Sequence, residues 1–287
     1  MFTITTTSVR SSVIRSSPRL TSRLLISTTD ANSSWDGTKM SQSDMMQKDM
    51  LITTSFTDKI TGAESKYTAH NFNPKTPRGT VHRAFSVFLF HPETNKMLIT
   101  RRAATKITFP TVWTNACCSH PLHGLEPEEV DCNDVEDVER RGVVSVGVKN
   151  AAVRKLEHEL GITTLPTSSF NFVTRFHYWA ADTVTYGSNS KWGEHEIDYI
   201  LFAKGNPEMK LNEEEVSEVM WVGMEELKEM FETPGLLWSP WFKGIMDRKG
   251  YEYWKNLDDI VKGDEKYVDK EIRYFDPDKE FYAEYNK

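Results

Sequence analysis

Two short stretches hold most of the reactive side chains in this sequence. The first is Thr114-Asn115-Ala116-Cys117-Cys118-Ser119-His120-Pro121, with two of the chain's three cysteines and a histidine within four residues. Thiols and imidazoles are the side chains most readily tuned to react, or to ligate a metal, near neutral pH. The second is Trp192-Gly193-Glu194-His195-Glu196-Ile197-Asp198-Tyr199, with two glutamates two residues apart. In extended backbone, residues two apart point the same way. Cys118 then shares a face with His120, and Glu194 shares one with Glu196. A thiol, an imidazole and two carboxylates can thereby converge on one pocket, a set able to move protons or to hold a divalent cation. Taken singly, each stretch fits a plainer role, an inert buried Cys pair or a solvated Glu face. Together, each set in apolar and aromatic sequence, they point to a site.

Both stretches need strands to hold them, and the flanking sequence alternates strand and helix patterns. Val81 to Phe90 is β-branched and aromatic, nearly continuous in its apolar character, and predicts a strand buried on both faces. His91 to Lys96 makes a turn, and Met97 to Thr100 returns as the hairpin partner. Arg101 to Lys106 leaves that strand, and Phe109-Pro110 turns the chain toward Trp113 and the Cys stretch. An acidic insertion from Leu125 to about Glu139 reads as a surface loop with some helix. Asn150 to Leu160 is a helix with Ala152, Val153, Leu156 and Leu160 on one stripe and Gly161 placed to stop it. On it, Lys155 and Glu159 fit an i,i+4 surface pair. Phe170–Ala180 and Glu194–Ala203 are strands, Glu213–Glu218 an acidic surface loop, and Met220–Val222 a short strand. Met224–Phe231 is helical. Ser239-Pro240-Trp241 starts another helix, with Ser as N-cap and Pro in the first turn, running through Ile245 to a break at Gly250. From Gly263 the sequence is charged and aromatic without a motif.

The sum is a mixed sheet with helices between strands, α/β or α+β, in one domain over 51–287. Net charge is −7, which argues against a general nucleic-acid binder. No apolar run reaches membrane-spanning length. Three cysteines, two of them adjacent, do not make a disulfide framework, and a reducing compartment is expected. Residues 1–29 differ in composition. Ser and Thr dominate, Arg10, Arg15, Arg19 and Arg23 are the only charges, and Asp30 is the first acid. That is the composition of an organelle transit peptide, plastid in preference to mitochondrion. Residues 30–50 read as linker, and Met40 or Met45 offers an internal start for a cytoplasmic form.

The strings HRAFSVFLF (82–90), KITFPTVWTNACCSHP (106–121), AAVRKLEHELGI (151–162) and WGEHEIDYILF (192–202) resemble the type I isopentenyl-diphosphate isomerases of the Nudix superfamily. The resemblance covers nearly everything after residue 50. It implies a Nudix α/β/α sandwich and the interconversion of isopentenyl and dimethylallyl diphosphate. The helix at 151–162 is also similar to a degraded Nudix box, R-E-U-x-E-E-x-G-U with U aliphatic. Here it reads Arg154 to Ile162, with Lys155 and His158 where a hydrolase carries acids. Losing acids weakens a polynuclear Mg²⁺ site, so the departure favours isomerase over pyrophosphohydrolase.

Moving an unactivated double bond requires a proton added at one carbon and another removed elsewhere, with a tertiary carbocation between. The pocket must exclude water and face the cation with aromatic rings. By resemblance, Cys118 is the acid or base on one side and Glu196 on the other, with Tyr178 relaying the proton at Glu196 and the Trp241 indole facing the cation. The resemblance also implies a metal set of His70, His82, His120, Glu194 and Glu196, to hold Zn²⁺, Mn²⁺ or Mg²⁺; its mixed N and O ligands suit Zn²⁺, Mn²⁺ or similar, and all-oxygen ligation suits Mg²⁺ better. The diphosphate falls to Lys66, Arg102, Lys106 and Lys155, where Arg154 is able to compensate for lysine at 155, and to a Mg²⁺ shared with Glu159. His91, His123, His158, His177 and His195 are left as structural. A monomer is expected. The competing readings are a Nudix diphosphate hydrolase, which releases phosphate or pyrophosphate, and a non-catalytic module, which tolerates loss of Cys118 but not of His82 or His120.

Overall fold

The computed structural model describes residues 40–130 and 146–276. The proposed transit peptide and most of the acidic insertion lie outside them. The chain enters through helix α1 (Gln42–Lys48), fixed by a reciprocal Ser41–Asp44 cap and burying Met45 and Met46. Part of the segment read as linker is therefore an ordered element. The antiparallel pair β1 (Met50–Thr54) and β2 (Ile60–Ser65) follows, then α2 (Lys66–His70), capped by Ser65.

Strand β3 (His82–Phe90) is buried along its whole length, as its apolar run predicts. Its expected hairpin partner, β4 (Met97–Arg102), touches it at one pair only, Phe90 opposite Met97. The turn exists, with His91 and Asn95 hydrogen-bonded across it. Past it, however, β4 swings away to pair with β5 (Trp113–Asn115) and with β9 (Val216–Val222). The vacated edge of β3 is taken by β1 at His82 and by β6 (Cys117–Ser119) at Phe85 to Val87. The other edge pairs in parallel with β8 (Gly193–Lys204) over nine residues. β8 in turn pairs antiparallel with β7 (Asn171–Ala181), and β10 (Ile272–Tyr274) closes that side in parallel. β10 comes from the tail that carried no sequence motif.

The pleat sorts side chains into two layers. Phe85, Val87, Leu89, Ile197, Tyr199 and Leu201 face α3 (Val146–Leu160), which buries Ala151, Ala152, Leu156 and Leu160 against them, while Val153 is only partly covered. Phe88, Phe90, Phe176, Ile200 and Phe202 face the C-terminal helices. These are α4 (Met224–Phe231), α5 (Pro240–Ile245) and α6 (Tyr251–Lys255). The expected break at Gly250 is instead a π-helical turn over Met246–Gly250 that joins α5 to α6. Helices thus cover both faces of a mixed sheet, the α/β sandwich the sequence suggests.

α3 ends at Gly161, whose φ of +67° is open to glycine without steric cost. The Gly161 and Ile162 N–H groups turn back to the carbonyls of Glu157 and Leu156. The last helical carbonyls, Glu159 and Leu160, accept from the amides of Asn212 and Lys210. That capping lays the 210–215 segment along the end of the helix.

Candidate active site

His82 lies opposite Glu196 across the parallel β3–β8 pair, and Cys118 lies opposite Ser86 on the other edge of β3. Directly paired residues share a face, so His82, Ser86, Cys118, Glu194 and Glu196 all point to the C-terminal-helix side. Tyr178 joins them, paired with Glu196 across β7–β8. α2 delivers His70, and the residue after β6 delivers His120. A narrow cavity is lined by Lys66, Arg102, Lys106, Thr108, Cys118, Ser119, His120, Glu159, Tyr178, Glu194, Glu196 and Trp241.

At one end of the site, His70, His82, His120, Glu194 and Glu196 bring one ligand atom each to within 4.8 Å of one another. His70 Nε2 is 2.6 Å and His82 Nε2 4.0 Å from Glu194 Oε2, and His120 Nε2 is 2.8 Å from Glu196 Oε1. The Nδ1–H groups of His70 and His82 donate to the carbonyls of Lys66 (2.8 Å) and Thr80 (2.7 Å). That fixes the tautomer and turns each Nε2 lone pair inward. With the ring protons on Nδ1, the His70 and His82 Nε2 lone pairs face the Glu194 carboxylate with no proton between them, so His70 Nε2, His82 Nε2 and Glu194 Oε2 are buried in close approach but without a hydrogen bond. Leaving such atoms unsatisfied costs about 1–3 kcal/mol each. Burial holds the His70 imidazole below its usual range, and burial with His82 and His70 alongside pushes His120 well below. Neutral imidazoles and ionised carboxylates are the forms that bind metal. These residues fit a divalent cation.

Glu196 also accepts a short hydrogen bond from the Tyr178 hydroxyl on Oε2. Burial opposes its ionisation, but His82 and Tyr178 outweigh it and hold the carboxyl below the ordinary range. Burial, then Glu196, push the Tyr178 hydroxyl well above its normal range, so it stays a donor. The Cys118 thiol is pushed up to about 12, chiefly by burial, with Arg102 pulling the other way. Cys117 points into the opposite layer. Trp241 is 3% exposed, packs edge-on to Phe109 at 5.2 Å, and presents its ring to the cavity beside Tyr178.

The cationic end is organised by backbone. Arg102 donates to the carbonyls of Thr108 and Phe109 at 2.8 Å each, shaping the loop that carries Lys106. Asp182 accepts from the Phe109 amide at 2.8 Å, and Thr108 Oγ1 donates to Glu194 Oε1 at 3.1 Å. Lys155 does not line the cavity. Its ammonium sits behind Glu159, 3.1 Å from that carboxylate and 3.1 Å from His158 Nδ1. Arg154 does not reach the pocket either. It forks onto Glu129 (2.6 and 2.8 Å) and donates to the His120 carbonyl, bracing the strand end that presents His120. His177 and His195 face each other on the opposite side of the sheet, Nε2 to Nε2 at 3.0 Å, away from the site.

Three residues escaped the sequence reading. Thr108, Asp182 and Glu215 have no local pattern that marks them. Glu215, read within an acidic surface loop, is 2% exposed and receives Lys106 Nζ at 2.5 Å. The one available signal was the run of cations Arg101, Arg102 and Lys106 with no acid among them, which calls for a counter-charge wherever it is buried.

Residues 80–242 match the NUDIX domain family. Over 219 residues the chain is 45% identical to an isopentenyl-diphosphate delta-isomerase of Gibberella zeae, covering 75% of this chain and 79% of that protein. The chain belongs to the isopentenyl-diphosphate delta-isomerase family. Its relatives span kingdoms. The Schizosaccharomyces pombe enzyme of that name is 46% identical over 64% of this chain and 75% of its own length. A chloroplastic form from Arabidopsis thaliana is 38% identical over 75% and 71% respectively.

Proposed function

We propose that this chain interconverts isopentenyl and dimethylallyl diphosphate. The observation that carries the reading is a single cavity with three kinds of wall. Cys118 on β6 and Glu196 on β8, the latter with Tyr178, flank β3 from its two edges, and Lys66, Arg102 and Lys106 line the same cavity. The diphosphate binds to the three cations. The five-carbon chain then runs past Trp241, between the thiol and the carboxylate. One proton is added to the terminal alkene carbon and a different one leaves the carbon nearer the diphosphate, so the atoms balance through a tertiary cation. Cys118 and Glu196 are the donor and acceptor, in either order for a reversible reaction. Tyr178 hands protons to and from Glu196 through its short hydrogen bond. Burial keeps water from trapping the cation, and the Trp241 face stabilises it by roughly 2 kcal/mol.

A divalent cation (Zn²⁺, Mn²⁺ or Mg²⁺) would be held by His70, His82, His120, Glu194 and Glu196, and a Mg²⁺ brought with the diphosphate by Glu159. When bound, such ions offset carboxylate and phosphate charge. Lys155 contributes through Glu159 and His158, not by direct contact. The working unit is residues 51–287 with the preceding α1, acting as a monomer. Residues 1–29 serve as a plastid transit peptide, a reading supported by the chloroplastic naming of the Arabidopsis relative. Among the described residues no helix is long and apolar enough to cross a membrane. ¹H NMR of the purified protein with isopentenyl diphosphate tests the reading. Growth of two allylic methyl signals supports it. Release of phosphate or pyrophosphate, or an unchanged spectrum, refutes it in favour of a hydrolase or a binding module.

A further inference from the structure

Glu215 lies behind the wall of the cavity, not in it, and yet the pocket cation Lys106 and two side chains behind the wall, Lys155 and His158, all point to it. Its Oε2 accepts from Lys106 Nζ at 2.5 Å, and its Oε1 lies 4.0 Å from Lys155 Nζ and 3.8 Å from His158 Nδ1. The backbone repeats the connection. The Ala103 amide donates to the Glu215 carbonyl at 3.0 Å, and Thr105 Oγ1 donates to the Glu214 carbonyl at 3.0 Å. The loop carrying Lys106 is therefore tied to Glu214–Glu215 at main chain and side chain alike. Glu215 itself is held from two directions. The α3 end caps onto Lys210 and Asn212, just upstream. From α1, Gln42 Nε2 donates to Glu215 Oε1 at 2.9 Å and to the Glu214 carbonyl at 3.1 Å.

We propose that Glu215 is the positioning residue of the diphosphate end: it orients the Lys106 ammonium from behind and, through Gln42, makes α1 part of the binding site. The inference rests on the isomerase reading for its substrate, and on geometry alone for its pyrophosphate ligand. An ammonium has three N–H donors. One directed at Glu215 leaves two directed into the cavity, where diphosphate oxygens arrive. Lys66, Arg102, Lys106 and Lys155 are like charges in a small volume. With Glu215 gone, a buried Lys106 has no fixed partner, and its charge and direction are both lost. Glu215 touches no reacting atom, so its loss weakens binding while leaving proton transfer at Cys118 and Glu196 intact.

The test is Glu215→Gln in the full chain. Expected are a tenfold or greater rise in KM for isopentenyl diphosphate, a kcat within threefold of the parent, and a tenfold or greater loss of calorimetric affinity for inorganic pyrophosphate. In a Lys106→Met background, E215Q should change KM less than twofold, because its effect runs through the missing ammonium. Glu218→Gln, three residues further on in β9, exposed and paired with Arg101, should change nothing. Unchanged KM and pyrophosphate affinity in E215Q, equal losses in kcat and KM, or effects of E215Q and K106M that multiply would each overturn the proposal. Pyrophosphate binding keeps this outcome separate from the isomerase reading, since it needs no turnover. Should E215Q fail to fold, Gln42→Ala decides. A two- to fivefold rise in KM at an unchanged melting temperature supports the role, and an unchanged KM overturns it.

Discussion

Loading the His/Glu cluster with a divalent cation should raise the melting temperature sharply. His70 Nε2, His82 Nε2 and Glu194 Oε2 are buried with their lone pairs turned toward one another and no hydrogen bond between them. At about 1–3 kcal/mol each, roughly 3–9 kcal/mol of penalty is open to relief by one ion. An ion at a thousand times its Kd stabilises the folded state by about 4 kcal/mol, within that range. For domains of this size each kcal/mol moves Tm by about 2–4 °C, so the shift should be about 8–16 °C. The assay is thermal unfolding of chelator-treated protein, titrated separately with Zn²⁺, Mn²⁺ and Mg²⁺. In His82→Gln the shift should fall to under a third, since a ligand buried at the centre of the set is gone. A melting temperature indifferent to all three ions in the parent, or an equal shift in parent and H82Q, would refute the argument that these five side chains form a metal centre.

Two further outcomes follow from single groups. Burial, opposed by Glu215 and reinforced by Arg102, Lys66 and Lys155, brings the Lys106 ammonium down to about 8. Lys106 is a cation below that pH and neutral above it, so kcat/KM should fall as pH rises through about 8. Lys106→Arg, whose guanidinium stays charged, should flatten that limb, and an identical limb in K106R would contradict the assignment. Gly161→Ala should cost at least about 1–2 kcal/mol in denaturant unfolding, since left-handed backbone disfavours a Cβ. The added carbon would also meet the Lys210 carbonyl at 2.8 Å. A loss below about 0.5 kcal/mol would show that the α3 terminus relaxes freely.

Much of this architecture is legible in the chain because its signals are local. The period-two placement of Cys118 with His120 and of Glu194 with Glu196 reads directly from sequence, and so does the continuous apolar run of β3. The pairing of β4 does not. Met97, Leu98, Ile99 and Thr100 are all buried, so no polar face records which neighbour they take. Glu215 fails for another reason. Its partners Lys106 and Gln42 are 109 and 173 residues away, and within Glu213–Glu218 it looks like any solvated acid. Arg154 misleads in the same way. Next to Lys155 on α3 it suggests a diphosphate contact, but Glu129, 25 residues upstream, claims its fork. Ser239 reads as an N-cap, and it does begin α5, yet its hydroxyl bonds Thr114 at 2.8 Å beside Cys118 instead of the helix amides.

The most direct measurement is solvent-hydrogen incorporation during turnover in D₂O, followed by NMR for the parent, Cys118→Ala and Glu196→Gln. The parent should carry deuterium into a methyl group of dimethylallyl diphosphate, while both variants, folded and still binding pyrophosphate, lose conversion by at least a thousandfold. A folded C118A protein that still moves the double bond at more than a tenth of the parent rate would contradict the claim that thiol and carboxylate work the alkene from two sides.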